Sequence, residues 1–210
     1  YEDLPRIDIV NDVVKSDAPS YAMQDEEAFF VFPLRVPDFM LRHEMPTGDM
    51  RPFVRTDINH PDNEQFLSSS TAYYTVNRWI DASDQESYGI TLAPISNPIV
   101  QYGERRSALG PWDYNAENPW IYSFVFNNKW HVNFQKTQPG PVTFRYSIAS
   151  HAGGDWEAGR ADHFGMQVNN PLRGVMIEDA QPGGALAPKQ GQFLAVNRNN
   201  VVLTAAKPAE

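Results

Sequence analysis

Cysteine is missing altogether from the 210 residues, which removes disulfide scaffolds, thiolate zinc sites and a cysteine nucleophile together. It leaves the compartment open, because secreted bacterial enzymes can also do without cysteine. Long hydrophobic runs are missing too. The longest, such as Ala28 to Leu34, are about seven residues, against the roughly twenty that span a bilayer, so no membrane is an expected partner. Positive charge is scarce: Lys+Arg 17 against Asp+Glu 26 gives a formal net charge of -9, and a chain of that sign repels phosphate backbones. The densest basic cluster, Arg105-Arg106, is flanked by Glu104 and Ser107-Ala108 and reads as a strand cap or a solvated pair, so nucleic acid is not expected either. No Gly-x-Ser-x-Gly occurs, and Gly183-Gly184 stand in a Pro-rich loop and not before a helix, which excludes two common nucleophile and phosphate-binding signatures. Tyr1 opens the chain with neither an initiator Met nor an apolar leader, as expected of a processed chain or of part of a longer protein.

What the chain has in quantity is turn punctuation and aromatics: seventeen Pro and thirteen Gly over the whole length, with 12% Phe, Trp and Tyr. That mixture describes many short strands, and 210 residues fit a single all-β domain over 1–210. Period-2 patterning agrees. Val142, Phe144, Tyr146 and Ile148 fall on one face of a strand whose other face carries Thr143, Arg145 and Ser147. Trp120, Tyr122, Phe124 and Phe126 alternate with Ile121 and Val125, the pattern of a strand covered on both sides. Tyr74, Val76 and Ile80 alternate with Tyr73, Thr75 and Trp79 in a third strand. Further strands are expected at 7–14, 28–34, 88–92, 99–102, 174–178, 193–197 and 201–205. One short helix is expected over Asp155 to Val168, capped by Asp155 and weakened by Gly159 and Gly165. Irregular stretches are expected at 45–70, 103–119 and 180–191, as binding loops or interdomain contacts.

Four ordered stretches carry a resemblance. They are Asn77-Arg78-Trp79-Ile80-Asp81-Ala82-Ser83, Tyr88-Gly89-Ile90-Thr91-Leu92, Asn97-Pro98-Ile99-Val100-Gln101-Tyr102-Gly103, and Ser123 to Phe134 followed by Phe144-Arg145-Tyr146-Ser147-Ile148. Together, over roughly 27–168, they resemble the post-catalytic β-sandwich domain of glycoside hydrolase family 38, the α-mannosidase-like hydrolases. The resemblance implies an antiparallel supersandwich of galactose-mutarotase-like type. It also implies a parent enzyme that is a retaining α-mannosidase, with its Asp nucleophile, acid/base and zinc in a catalytic domain outside this chain. The implied partners are that catalytic domain and, through the parent, a mannoside-type glycan. His60-Pro61-Asp62 is the only His-x-Asp match and lacks the surrounding residues of the family's zinc motif, so it reads as a turn.

The residues themselves offer a sugar rim before they offer a catalyst. Asn127 and Asn128 with Trp130 and Asn133 place amides beside a large ring, and sugars are bound by amides on hydroxyls and rings on apolar sugar faces. The alternative is a strand-end turn. The acid pairs Asp155 with Glu157 and Asp81 with Asp84 or Glu86 read as cap and turn residues. Histidines 43, 60, 131, 151 and 163 form no close pair, and Asp162-His163 point apart on the expected helix, so no cofactor is expected in this chain. Two alternatives stay open: a carbohydrate-binding module without chemistry, and a mutarotase- or lyase-like enzyme whose base would be His131 or His151 facing a carboxylate.

Overall fold

The computed structural model describes residues 5–16, 27–54, 64–66, 69–106, 114–127, 138–172, 174, 176, 194–198, 201 and 203. The chain divides into two compact units, Tyr1–Pro171 and Leu172–Glu210. In the first, ten strands run in chain order among the described residues: β1 (Ile7–Lys15), β2 (Glu27–Phe32), β3 (Met40–Met45), β4 (Gly48–Met50), β5 (Tyr74–Thr75), β6 (Ile80–Ser83), β7 (Tyr88–Pro94), β8 (Ile99–Tyr102), β9 (Ile121–Asn127) and β10 (Gly140–Ala152). They form two sheets, in the orders β1-β10-β7-β6-β3-β4 and β2-β9-β8-β5, and every pairing is antiparallel. The expected all-β sandwich is the fold. One helix, α1 (Ala161–Asn169), follows β10. No helix of the described residues is long and apolar enough to cross a membrane.

Alternation builds the core. Phe32, Tyr74, Val100, Tyr102 and Ile121 come from the smaller sheet, and Leu41, Ile80, Ala82, Leu92, Phe144 and Tyr146 from the larger; all fourteen members of the cluster are buried. Aromatic edges lock the layers: Phe30 meets Phe144 at 5.5 Å, Phe32 meets Tyr146 at 4.8 Å and Phe126 meets Phe144 at 5.5 Å between ring centroids. Such pairs add about 0.5–1.5 kcal/mol each beyond their buried area. Phe144 and Tyr146 are buried as the period-2 pattern requires, whereas Val142, near the end of the same strand, is 36% exposed.

Three expectations are corrected. Residues 73–80 are not one strand: Val76 N–H still donates to Pro98 O beside β8, while Asn77 N–H donates to Glu44 O of β3. The chain therefore changes sheets between Val76 and Asn77, where Arg78 breaks the apolar phase shared by Tyr74, Val76 and Ile80. The helix begins at Ala161 and not at Asp155, because Arg160 takes a left-handed φ of 55° and breaks the path. Asp155 caps a turn instead, its Oδ1 accepting the Glu157 and Ala158 N–H groups at 3.0 and 3.1 Å. Strand β4 falls inside 45–70, expected to be irregular, and pairs with β3, which has no apolar period. In β3 the inward positions are Leu41 and His43, and the intervening Arg42 and Glu44 pair outward.

The second unit is described only at scattered positions. Of the strand expected at 193–197, residues 194–197 are described and form none; Leu194 and Val196 are 61% and 45% exposed, so they gain little apolar burial to offset the cost of ordering a strand. Most of 174–178 and 201–205 lies outside the described residues.

Candidate functional site

The outer face of the larger sheet carries a polar cluster that period-2 geometry creates directly. Ile80, Ala82 and Leu92 point into the core, so Asp81 and Thr91 point the other way from β6 and β7. His151 of β10 lies in register with Gly89, and Gly89 in register with Ser83. With no side chain on Gly89, the imidazole lies across β7 and reaches β6: Nε2 donates to Asp81 Oδ1 at 3.0 Å, and Thr91 Oγ1 donates to the same oxygen at 2.8 Å. A Cβ on Gly89 would fall 2.2 Å from Nε2, and one on Gly159 would fall 2.4 Å from Nδ1. The ring thus fills a slot between two glycines. This is the close-approach role that a strand-interior glycine signals.

The segment after β10 closes over this face. Trp156 stacks on buried Trp79 at 4.9 Å and 15°, with the Arg42 guanidinium 5.6 Å from the Trp156 ring. Gly165 of α1 lies so close to Trp79 that an added Cβ would come within 2.9 Å of its ring. Arg78 bonds Glu44 through Nε at 2.9 and 2.8 Å and through Nη2, and the hydrogen-bonded carboxylate raises the guanidinium pKa.

A histidine oriented by a carboxylate is the arrangement of a general base. Here, however, Nε2 is committed to Asp81, and Nδ1 is buried with no partner beside Gly159. The dyad ties β6 to β10, with the ring set against Gly159 of the covering turn. Asp81 Oδ2 is likewise buried and unpartnered.

A second polar cluster lies between the sheets. His43 is 1% exposed and packs against Tyr74 and Tyr102 at 5.4 and 5.7 Å. Burial, helped by the Arg42 charge, lowers its pKa to about 3, so the imidazole is neutral at physiological pH. Burial also pushes the Tyr102 phenol well above its ordinary value. Nearby, Arg106 stands 3.4 Å from the Tyr114 ring centroid and donates to Thr71 O at 2.7 Å, while Gln101 brackets its backbone at 2.7 and 3.1 Å. Burial lowers the Arg106 pKa. Arg106 is therefore a buried structural cation, not the solvated member of a surface pair.

Of the sugar-rim residues, Asn127 ends β9 opposite Glu27; Asn128, Trp130 and Asn133 lie outside the described residues, as do His131 and His60-Pro61-Asp62. Asp84 is a turn residue as expected. Its Oδ1 accepts the Glu86, Ser87 and Tyr88 N–H groups at 2.9, 2.7 and 2.9 Å, and Ser87 Oγ bonds Oδ2; these bonds hold its carboxyl far below the usual range. Asp81 is not a turn residue, and its burial within the sheet corrects that reading. Asp162 and His163 do not point apart; Nε2 of His163 lies 3.7 Å from Asp162 Oδ2. Among the described residues no group of three or more His, Asp or Glu side chains could hold a metal ion.

Fold and site together define the class: an antiparallel β-sandwich whose buried polar residues tie layers to one another. Compared with models of known protein families and with curated proteins, the chain matches none.

Proposed function

We propose that this chain is the non-catalytic β-sandwich of a retaining, α-mannosidase-type glycoside hydrolase of family 38, a galactose-mutarotase-like supersandwich that supports a catalytic domain carried elsewhere in the parent polypeptide. One observation carries the reading. The stretches that bear the resemblance are scattered in sequence yet fall on adjoining strands: β6, β7 and β10 in one sheet, β8 and β9 in the other.

Their polar residues also interlock. Asn97 Nδ2 donates to Ser123 Oγ at 3.0 Å and to Phe124 O, and Ser123 Oγ shares a 2.9 Å bond with Tyr146 OH between the sheets. Asp81, Thr91 and Gly89, with His151, form the tie on the outer face. In this reading these residues keep a scaffold in shape. In the parent enzyme, zinc and the catalytic carboxylates belong to the partner domain.

The reading is tested by the size of the native polypeptide. Antibodies raised against the 23.8 kDa chain should detect, in an extract of the source cells, a band several hundred residues larger. A native band at the chain's own mass would count against the proposal.

A further inference from the structure

One end of the sandwich holds a cleft of about 910 Å³ walled by three separate segments, residues 33–41, 51–54 and 115–120. That volume suits a small ligand. Part of its polar lining is uncommitted: Arg35, Asp38, Asn115 and Glu117 make no hydrogen bond or ion pair among the described residues, whereas Asn118 Oδ1 accepts the Trp120 N–H at 3.1 Å. The other guanidinium of the lining, Arg51, is neutralised by Glu64, with Nε to Oε1 at 2.6 Å. At the mouth Trp120 is 40% exposed.

Two of the wall residues hold left-handed backbone, Asp38 at φ 47° and Phe53 at φ 71°. For an aromatic residue that conformation is an outlier that surrounding structure must enforce. Phe53 is held by its own N–H, which donates to Gln65 Oε1 at 3.1 Å and to Tyr74 OH at 3.2 Å, while Tyr74 OH donates to the same glutamine oxygen at 3.1 Å. The wall is therefore built from the buried inter-sheet cluster outward. It is not a loose loop.

We infer that this cleft binds a neutral saccharide unit. The uncommitted groups are one guanidinium, two carboxylates and an amide. Such a set offers donors and acceptors to hydroxyls, and with one cation against two anions it does not favour a phosphate. The indole of Trp120 supplies the apolar face on which a sugar ring can rest. The inference stands apart from the glycosidase reading, since it follows from the lining chemistry alone.

Nitrogen-15 NMR titration of the 210-residue chain with mannotriose, maltotriose and inorganic phosphate tests it. Saturable shifts are expected at 35–39 and 115–120 with one of the sugars, and Trp120→Ala and Asn115→Ala should each weaken binding about tenfold while melting as the parent chain does. Maltotriose bound in preference to mannotriose supports the cleft and leaves the scaffold proposal standing, since the two are independent. The inference is overturned by flat titrations with both sugars at concentrations on the order of 10 mM, by variants that bind as the parent does, or by phosphate binding more tightly than either sugar. Flat titrations leave the scaffold proposal standing.

Discussion

Substituting His151 by alanine should lower the unfolding free energy by roughly 1–3 kcal/mol, the cost of leaving a buried hydrogen-bonding group without its partner. Asp81 is fully buried, and among the described residues only Thr91 and His151 bond its Oδ1. Without the imidazole, the carboxylate keeps its desolvation cost and loses the donor that offsets it. The same change empties the slot between Gly89 and Gly159. Denaturant unfolding of His151→Ala, Asp81→Ala and the double variant gives the coupling directly, since contacting residues depart from additivity. A coupling energy near zero, or a His151→Ala cost below about 1 kcal/mol, would show that the tie contributes nothing. Gly89→Ala should act on the same tie from the other side, because its methyl would occupy the position of Nε2.

The second large effect is acid lability centred on His43. In the unfolded chain its imidazole titrates at the ordinary value of 6.5, and in the folded protein at about 3. Above pH 6.5 both states are neutral there and the full stability is present. As the pH falls below 6.5 the unfolded chain takes up a proton that the folded chain refuses, so stability declines by up to about 1.4 kcal/mol per pH unit and levels off only near the folded value. By that point the loss approaches about 4 kcal/mol. His43→Phe places a ring of similar size against Tyr74 and Tyr102 and removes a buried, unpartnered Nδ1, so it should flatten the stability profile between pH 6.5 and 4.5. Parallel profiles for the two proteins in that window would place the acid sensitivity elsewhere.

The fold was legible in the sequence because its strands alternate. The 99–102 expectation coincides with β8, and 7–14 differs from β1 by one residue at its end. Where reading failed, a local pattern was overridden by contacts distant in sequence. Tyr74, Val76 and Ile80 share one phase, broken by Arg78, yet the hydrogen bonds of Val76 and Asn77 go to different sheets. Met40 to Met45 lacks an apolar stripe because the core position is filled by His43, whose partners are tyrosines from β5 and β8. Helix α1 starts late because Gly159 is pressed against His151 and Arg160 turns left-handed beside it.

The polar cluster was partly visible. His151 stood out as a histidine that could face a carboxylate, but its partner Asp81 was grouped with the turn acids that follow it in sequence. The available signal was Gly89, a glycine inside an otherwise apolar strand, which marks a close approach. It says that something crosses β7 there, and only the register identifies His151 as the group that crosses. The cleft at the sandwich end was not legible at all, since its three walls come from segments far apart in sequence and its uncommitted groups are ordinary surface residues until the fold gathers them.

The scaffold assignment is tested most directly by assaying hydrolysis of an aryl α-mannoside, with zinc supplied, by the purified 210-residue chain and by the longer native polypeptide side by side. Turnover is expected only from the longer polypeptide. Zinc-dependent turnover by the 210-residue chain alone, or none by the longer polypeptide, would contradict it.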